Sequence, residues 1–128
     1  MSTFTVFVVD DDRVYCDSVR ELAHASGMTV ETFPTTAAFL SVFDAARRGC
    51  ILISARVARA GHRSLLWYTS ALPLPVIFIC DYDDRTQDLR SAKAAGAILI
   101  QMPYRGSGLL AAIDEAFRRE EVRLQMPS

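Results

Sequence analysis

The sequence predicts an α/β domain built on a doubly wound, parallel, five-stranded sheet, and three observations predict it. Short apolar runs recur at Phe4 to Val9, Cys50 to Ser54 and Val76 to Cys80, as strands covered on both faces require. The segments between them carry apolar residues at helical spacing. Glycines and prolines fall at the junctions, at Gly27, Pro34, Gly96 and Pro103, where chain direction has to change.

Each element follows in order. Phe4 to Val9 is a buried strand that runs into the acidic triplet Asp10, Asp11 and Asp12. Tyr15, Val19, Leu22 and Ala23 then fall at i, i+4, i+7 and i+8, a helix with Asp12 as its N-cap and Gly27 as its stop. Thr29 to Phe33 is the second strand. Pro34 with Thr35 or Thr36 opens a helix whose stripe is Phe39, Leu40 and Phe43, ending before Gly49. Cys50 to Ser54 is the third strand, Ala55 to Gly61 a loop, and Ser64 to Leu72 a helix broken by Pro73 and Pro75. Val76 to Cys80 is the fourth strand. Asp83 or Asp84 caps a helix reaching Ala95, which Gly96 ends, and Ala97 to Gln101 is the fifth strand before Met102 and Pro103. From a Ser107 cap, Leu109, Leu110, Ile113, Ala116 and Phe117 mark the last helix, with charge accumulating from Arg118 to Arg123.

The 128 residues fit one domain, 1–128, in which 122–128 is a tail or the start of a linker. A net charge of -1 disfavours direct nucleic-acid binding, because no broad basic field is available to collect phosphates. The first residues lack the pattern of a signal peptide, and no apolar run is long enough to span a bilayer, so no membrane role is expected and the cytoplasm is the expected location. Cys16, Cys50 and Cys80 are far apart and read as reduced core thiols. In open parallel sheets, ligands and chemistry gather beyond the carboxyl ends of the strands, which directs attention to Asp10, Asp11, Ser54, Cys80 and Met102.

The motif Val8-Val9-Asp10-Asp11-Asp12 resembles the first-strand signature of the response-regulator receiver family of two-component signalling. Phe33 to Leu40 resembles the F-x-S-A-x-x-F-L stretch of its nitrogen-fixation and nodulation-type regulators. Val76 to Ile79 resembles their fourth strand, and Lys93 to Ala97 their K-A-G-A. The order of these matches covers essentially the whole chain. The resemblance implies a flavodoxin-like (βα)5 sandwich with strand order 2-1-3-4-5, a non-enzymatic signalling role and a bacterial phosphorelay context.

In that family an aspartate at the end of the third strand accepts phosphate beside a magnesium ion, and its carboxylate is both nucleophile and metal ligand. The matching position here is Ser54. The family's hydroxyl residue ending the fourth strand, its aromatic in the fifth and its lysine before proline match Cys80, Leu99 and Met102. A thioether cannot make the charge-assisted bond that the lysine makes to a phosphorylated aspartate. The resemblance is therefore to a degenerate receiver, a pseudo-receiver, that needs no cofactor and acts on a protein partner without aspartyl phosphorylation.

Each site residue has a plainer reading beside its functional one. Asp10 and Asp11, aided by Asp81, are the candidate ligands for a divalent cation such as magnesium, and otherwise solvated caps of the first helix. Ser54 is a candidate for a serine kinase, and otherwise a strand-end hydroxyl bonded to backbone. Cys80 is a redox candidate whose acidic neighbours Asp81 and Asp83 would dull it, and otherwise core. His24 and His62 are isolated and read as surface. Met102-Pro103 is a candidate cis peptide that aims Tyr104 and the loop Arg105 to Gly108. The last helix and fifth strand are a candidate homodimer face, although Arg118, Arg119, Glu120 and Glu121 equally suit a solvated surface. Two rivals stand beside the module: the receiver part of a longer transcriptional regulator, with Arg123 to Ser128 opening a linker, and a flavodoxin-like sensor or binder of a small ligand. A nucleotide enzyme would want a glycine-rich phosphate loop, and neither G-x-G-x-x-G nor a P-loop occurs.

Overall fold

The structure, a computed structural model, describes residues 3–125. Along the chain run β1 (Phe4–Val9), α1 (Arg13–Ala25), β2 (Thr29–Phe33), α2 (Thr36–Val42) and β3 (Arg48–Ser54). They are followed by α3 (Ala55–Ala60), α4 (Leu65–Ala71), β4 (Val76–Cys80), α5 (Gln87–Ala94), β5 (Ile98–Gln101) and α6 (Gly106–Gln125). The five strands pair in parallel in the order β2-β1-β3-β4-β5, the expected 2-1-3-4-5 arrangement.

Because successive strand residues point to opposite faces, each central strand feeds two cores. Phe7, Val9, Ile51, Ile53 and Phe78 face α2 to α5 and bury Phe39, Tyr68 and Leu89. Val6, Val8, Leu52, Ile77 and Ile79 face α1 and α6 and bury Val19, Leu109 and Ile113. Under α2 the rings of Phe7, Phe33 and Phe43 pack around Phe39 or each other at centroid distances of 5.1–6.2 Å.

The Asp12 carboxylate accepts the Tyr15 N–H and starts α1, and Gly27 at φ 77° lets the chain turn out of it, as Gly96 at φ 110° does after α5. The expected loop from Ala55 to Gly61 is instead helical as α3: Ser54 caps it, no proline interrupts it, and Ala55, Val57 and Ala58 are buried. Gly49 does not end a helix. It lies in β3, where an added Cβ would stand 2.0 Å from the Thr5 carbonyl oxygen, and α2 stops earlier, at Val42.

Neither Asp83 nor Asp84 caps α5, which starts at Gln87 after Thr86, because the Asp84 carboxylate is engaged by Arg59. The last helix begins at Gly106, so the expected Ser107 cap and the loop Arg105 to Gly108 give way to its first turn. The tail expected over 122–128 is helical as far as Gln125, and 126–128 lie outside the described residues. Glu120 does not belong to a solvated face: it is fully buried, and its carboxylate accepts the Gly49 N–H at 3.0 Å. No helix among the described residues is long and apolar enough to cross a membrane.

Candidate functional site

Parallel pairing brings the carboxyl ends of β1, β3, β4 and β5 to one edge of the sheet. Val9 is level with Ile53, Ser54 with Ile79, and Cys80 with Gln101. Asp10, Ser54, Arg56, Arg59, Cys80 and Met102 thereby line one cleft of about 200 Å³. That is below the roughly 300 Å³ at which small-molecule pockets usually begin.

Asp10 is 8% exposed, and its carboxylate accepts the Asp12 N–H at 3.0 Å. Burial pushes its pKa up, against the lowering pull of that hydrogen bond and of Arg56. Asp11 is exposed and sits lower than an ordinary carboxylate because Arg56 donates to it. The Arg56 guanidinium reaches Asp11 at 2.9 Å and Asp10 at 3.5 Å, so it spans both acids. Asp12, not this pair, caps α1.

Ser54 ends β3 and caps α3, its hydroxyl accepting the Val57 N–H at 3.1 Å. Cys80 is buried, its thiol donating to the Ile100 carbonyl at 3.5 Å; burial first, then Asp84 and Asp81, raise its pKa and suppress the thiolate. Met102 is 40% exposed, its N–H bonds the Cys80 carbonyl at 2.8 Å, and the Met102-Pro103 peptide is cis. Tyr104 packs inward beside Tyr15 on the layer of α1 and α6, where burial raises the pKa of both phenols. Leu99 is level with Phe78 and packs into the layer under α2 to α5, away from the cleft lining.

The fold thus gathers Asp10, Ser54, Cys80 and Met102 around the cleft, with Asp11 at its mouth through Arg56 and Asp81 on its lining, and leaves Leu99 out. His24 and His62 are exposed, at the end of α1 and in the α3 to α4 turn. Cys16 and Cys50 are buried thiols. No group of three or more His, Cys, Asp or Glu side chains is placed to hold a metal ion among the described residues.

Sequence reading missed the two arginines. On helical α3 they stand at i and i+3, on one side, so Arg56 turns to the end of β1 while Arg59 turns to Asp84 and Asp88 beyond β4. Paired with Arg59, Asp88 is held down to about 2. The available signal was the absence of proline and glycine from Ser54 to Ala60, which allows a helix where a loop was expected.

No family model matches the chain. The transcriptional regulatory protein TdiR of Thauera aromatica is 31% identical over 114 residues, which make up 88% of this chain and 50% of TdiR. The transcriptional regulatory protein FixJ of Bradyrhizobium diazoefficiens is 25% identical over 118 residues, 91% of this chain and 58% of FixJ. Among solved structures, the response regulator StyR superposes with a TM-score of 0.84 at 30% identity, over 97% of this chain and 64% of StyR. The chain spans about half the length of the curated relatives it matches first. These relatives are response regulators, and the strand order and helices here are those of their receiver domains.

Proposed function

We propose that this chain, a receiver domain of the response-regulator type by its fold and relatives, is a pseudo-receiver: a non-enzymatic signalling module that docks a protein partner without being phosphorylated on aspartate. The observation that carries this reading is Ser54 at the end of β3, a neutral hydroxyl committed to capping α3. A phosphoryl group needs a nucleophilic carboxylate there, a hard cation to neutralise its charge, and an ammonium group to report it. Instead, Arg56 takes up Asp10 and Asp11, and the thioether of Met102 stands at the end of β5. The module then needs no magnesium.

Contact with its partner, or with a second copy, is assigned to α6 and β5; on α6, Phe117, Val122 and Leu124 are exposed large apolar side chains, Phe117 on the side turned to Phe4 of β1. The expected place of action is the cytoplasm. The test is incubation with acetyl phosphate and magnesium, read by intact mass. An unchanged mass is expected, and a stable added phosphoryl group would overturn the reading.

A further inference from the structure

The segment 81–86 between β4 and α5 has a weak hold of its own. Asp81, Tyr82, Asp83, Arg85 and Thr86 are exposed, and an Asp84 N–H to Asp81 carbonyl bond of 3.1 Å closes a turn only within the segment. Thr86, at the N-cap of α5, makes no side-chain capping bond. Its hydroxyl lies instead between the Asp84 carboxylate, at 2.9 Å, and the Asp88 carboxylate, and accepts from Arg59.

Arg59 gathers all of this. Its Nε and Nη2 donate to the two carboxylate oxygens of Asp88 at 2.9 and 3.0 Å. Its Nη1 and Nη2 donate to those of Asp84 at 2.9 and 3.3 Å, and Nη2 also reaches Thr86 Oγ1 at 2.8 Å. A planar guanidinium can serve two carboxylates in this forked manner, and an ammonium cannot. The Asp84 side chain is only 11% exposed, so water competes weakly for that half of the cluster.

We propose that Arg59 is a built-in lock, which holds the segment between β4 and α5 in one position by an ion-pair cluster anchored on α3. The face made by this segment and α5 is then presented in a single conformation with no modification at Ser54. The lock exists whether or not the docking reading holds. Its regulatory meaning, a receiver surface set by its own arginine, rests on that reading.

Site-resolved amide exchange on the intact chain tests it. Replacing Arg59 by alanine removes several charge-assisted bonds, so exchange at Asp84, Thr86, Leu89 and Arg90 should quicken by roughly tenfold to a hundredfold. Amides of α1 and α6 should keep their rates. Arg59→Lys should restore only part of the protection, and Asp88→Asn should loosen the same amides, an independent route if Arg59→Ala folds poorly. Unchanged exchange in 84–90, or an equal rise across the whole domain, would overturn the lock and leave the docking reading intact. Phosphoryl transfer to the wild-type chain would overturn the docking reading while the exchange pattern still decided the lock.

Discussion

Asp10 and Ser54 sit at the same mouth with opposite energetics. Asp10 is buried, and its pKa is raised mainly by that burial. A raised folded pKa means that the native state holds this proton longer than the unfolded chain, so the contribution of Asp10 to stability is greatest below the unfolded value of about 3.9 and is lost as pH rises through the folded value. At neutral pH the charge is carried at a cost. Asp10→Asn keeps an acceptor for the Asp12 N–H and leaves Arg56 paired with Asp11, so its thermal midpoint at pH 7 should rise, with the gain shrinking as pH falls toward the carboxylate range. Ser54 stabilises through its cap. Ser54→Ala should cost about 1 kcal/mol in urea unfolding, while Ser54→Asp, an equally good cap, should cost much less.

At the scale of elements, α6 is held to the sheet by a bond that its sequence disguised. Glu120 is buried against the start of β3 and accepts the Gly49 N–H, while Arg123 donates to its other oxygen. Arg48 pairs with Glu121 beside them. Glu120→Leu leaves the Gly49 N–H without its acceptor and should cost about 1–3 kcal/mol, read by urea unfolding. Much of the architecture was legible because it is written in local terms: β1 and β4 in apolar runs, α1 in the Asp12 cap and its spacing, strand order in the resemblance at Asp10 to Asp12. What was not legible depends on partners distant in sequence. Glu120 reads as one more surface charge until β3 lies beneath it. Gly49 reads as a helix stop until Thr5 is seen against it. The helix α3 carries small residues without a long apolar stripe, so Arg56 and Arg59 passed for loop charges, and with them went two of the six residues named for the cleft.

For the whole molecule, a parallel sheet covered on both faces supplies the rigidity, and the edge where the strands end is where an open parallel sheet gathers its chemistry. In this chain the charged groups of that edge are paired among themselves, Asp11 and Asp10 with Arg56 and Asp84 and Asp88 with Arg59, and the Ser54 hydroxyl is taken up by its own helix. On the proposed reading, this side-chain pairing stands in for the ion and phosphate of a switching receiver. Trp67 lies away from this cleft, stacked under Arg63 at 4.1 Å, so its fluorescence is a poor reporter and resonances of the edge itself should be followed. The most direct measurement adds magnesium and fluoroberyllate, which together mimic a phosphoryl group on a carboxylate, to isotope-labelled chain and follows the amides of Asp11, Ser54, Cys80 and Met102. The account predicts no saturable shift and no bound fluorine signal; a stoichiometric complex that moves these amides together would contradict it.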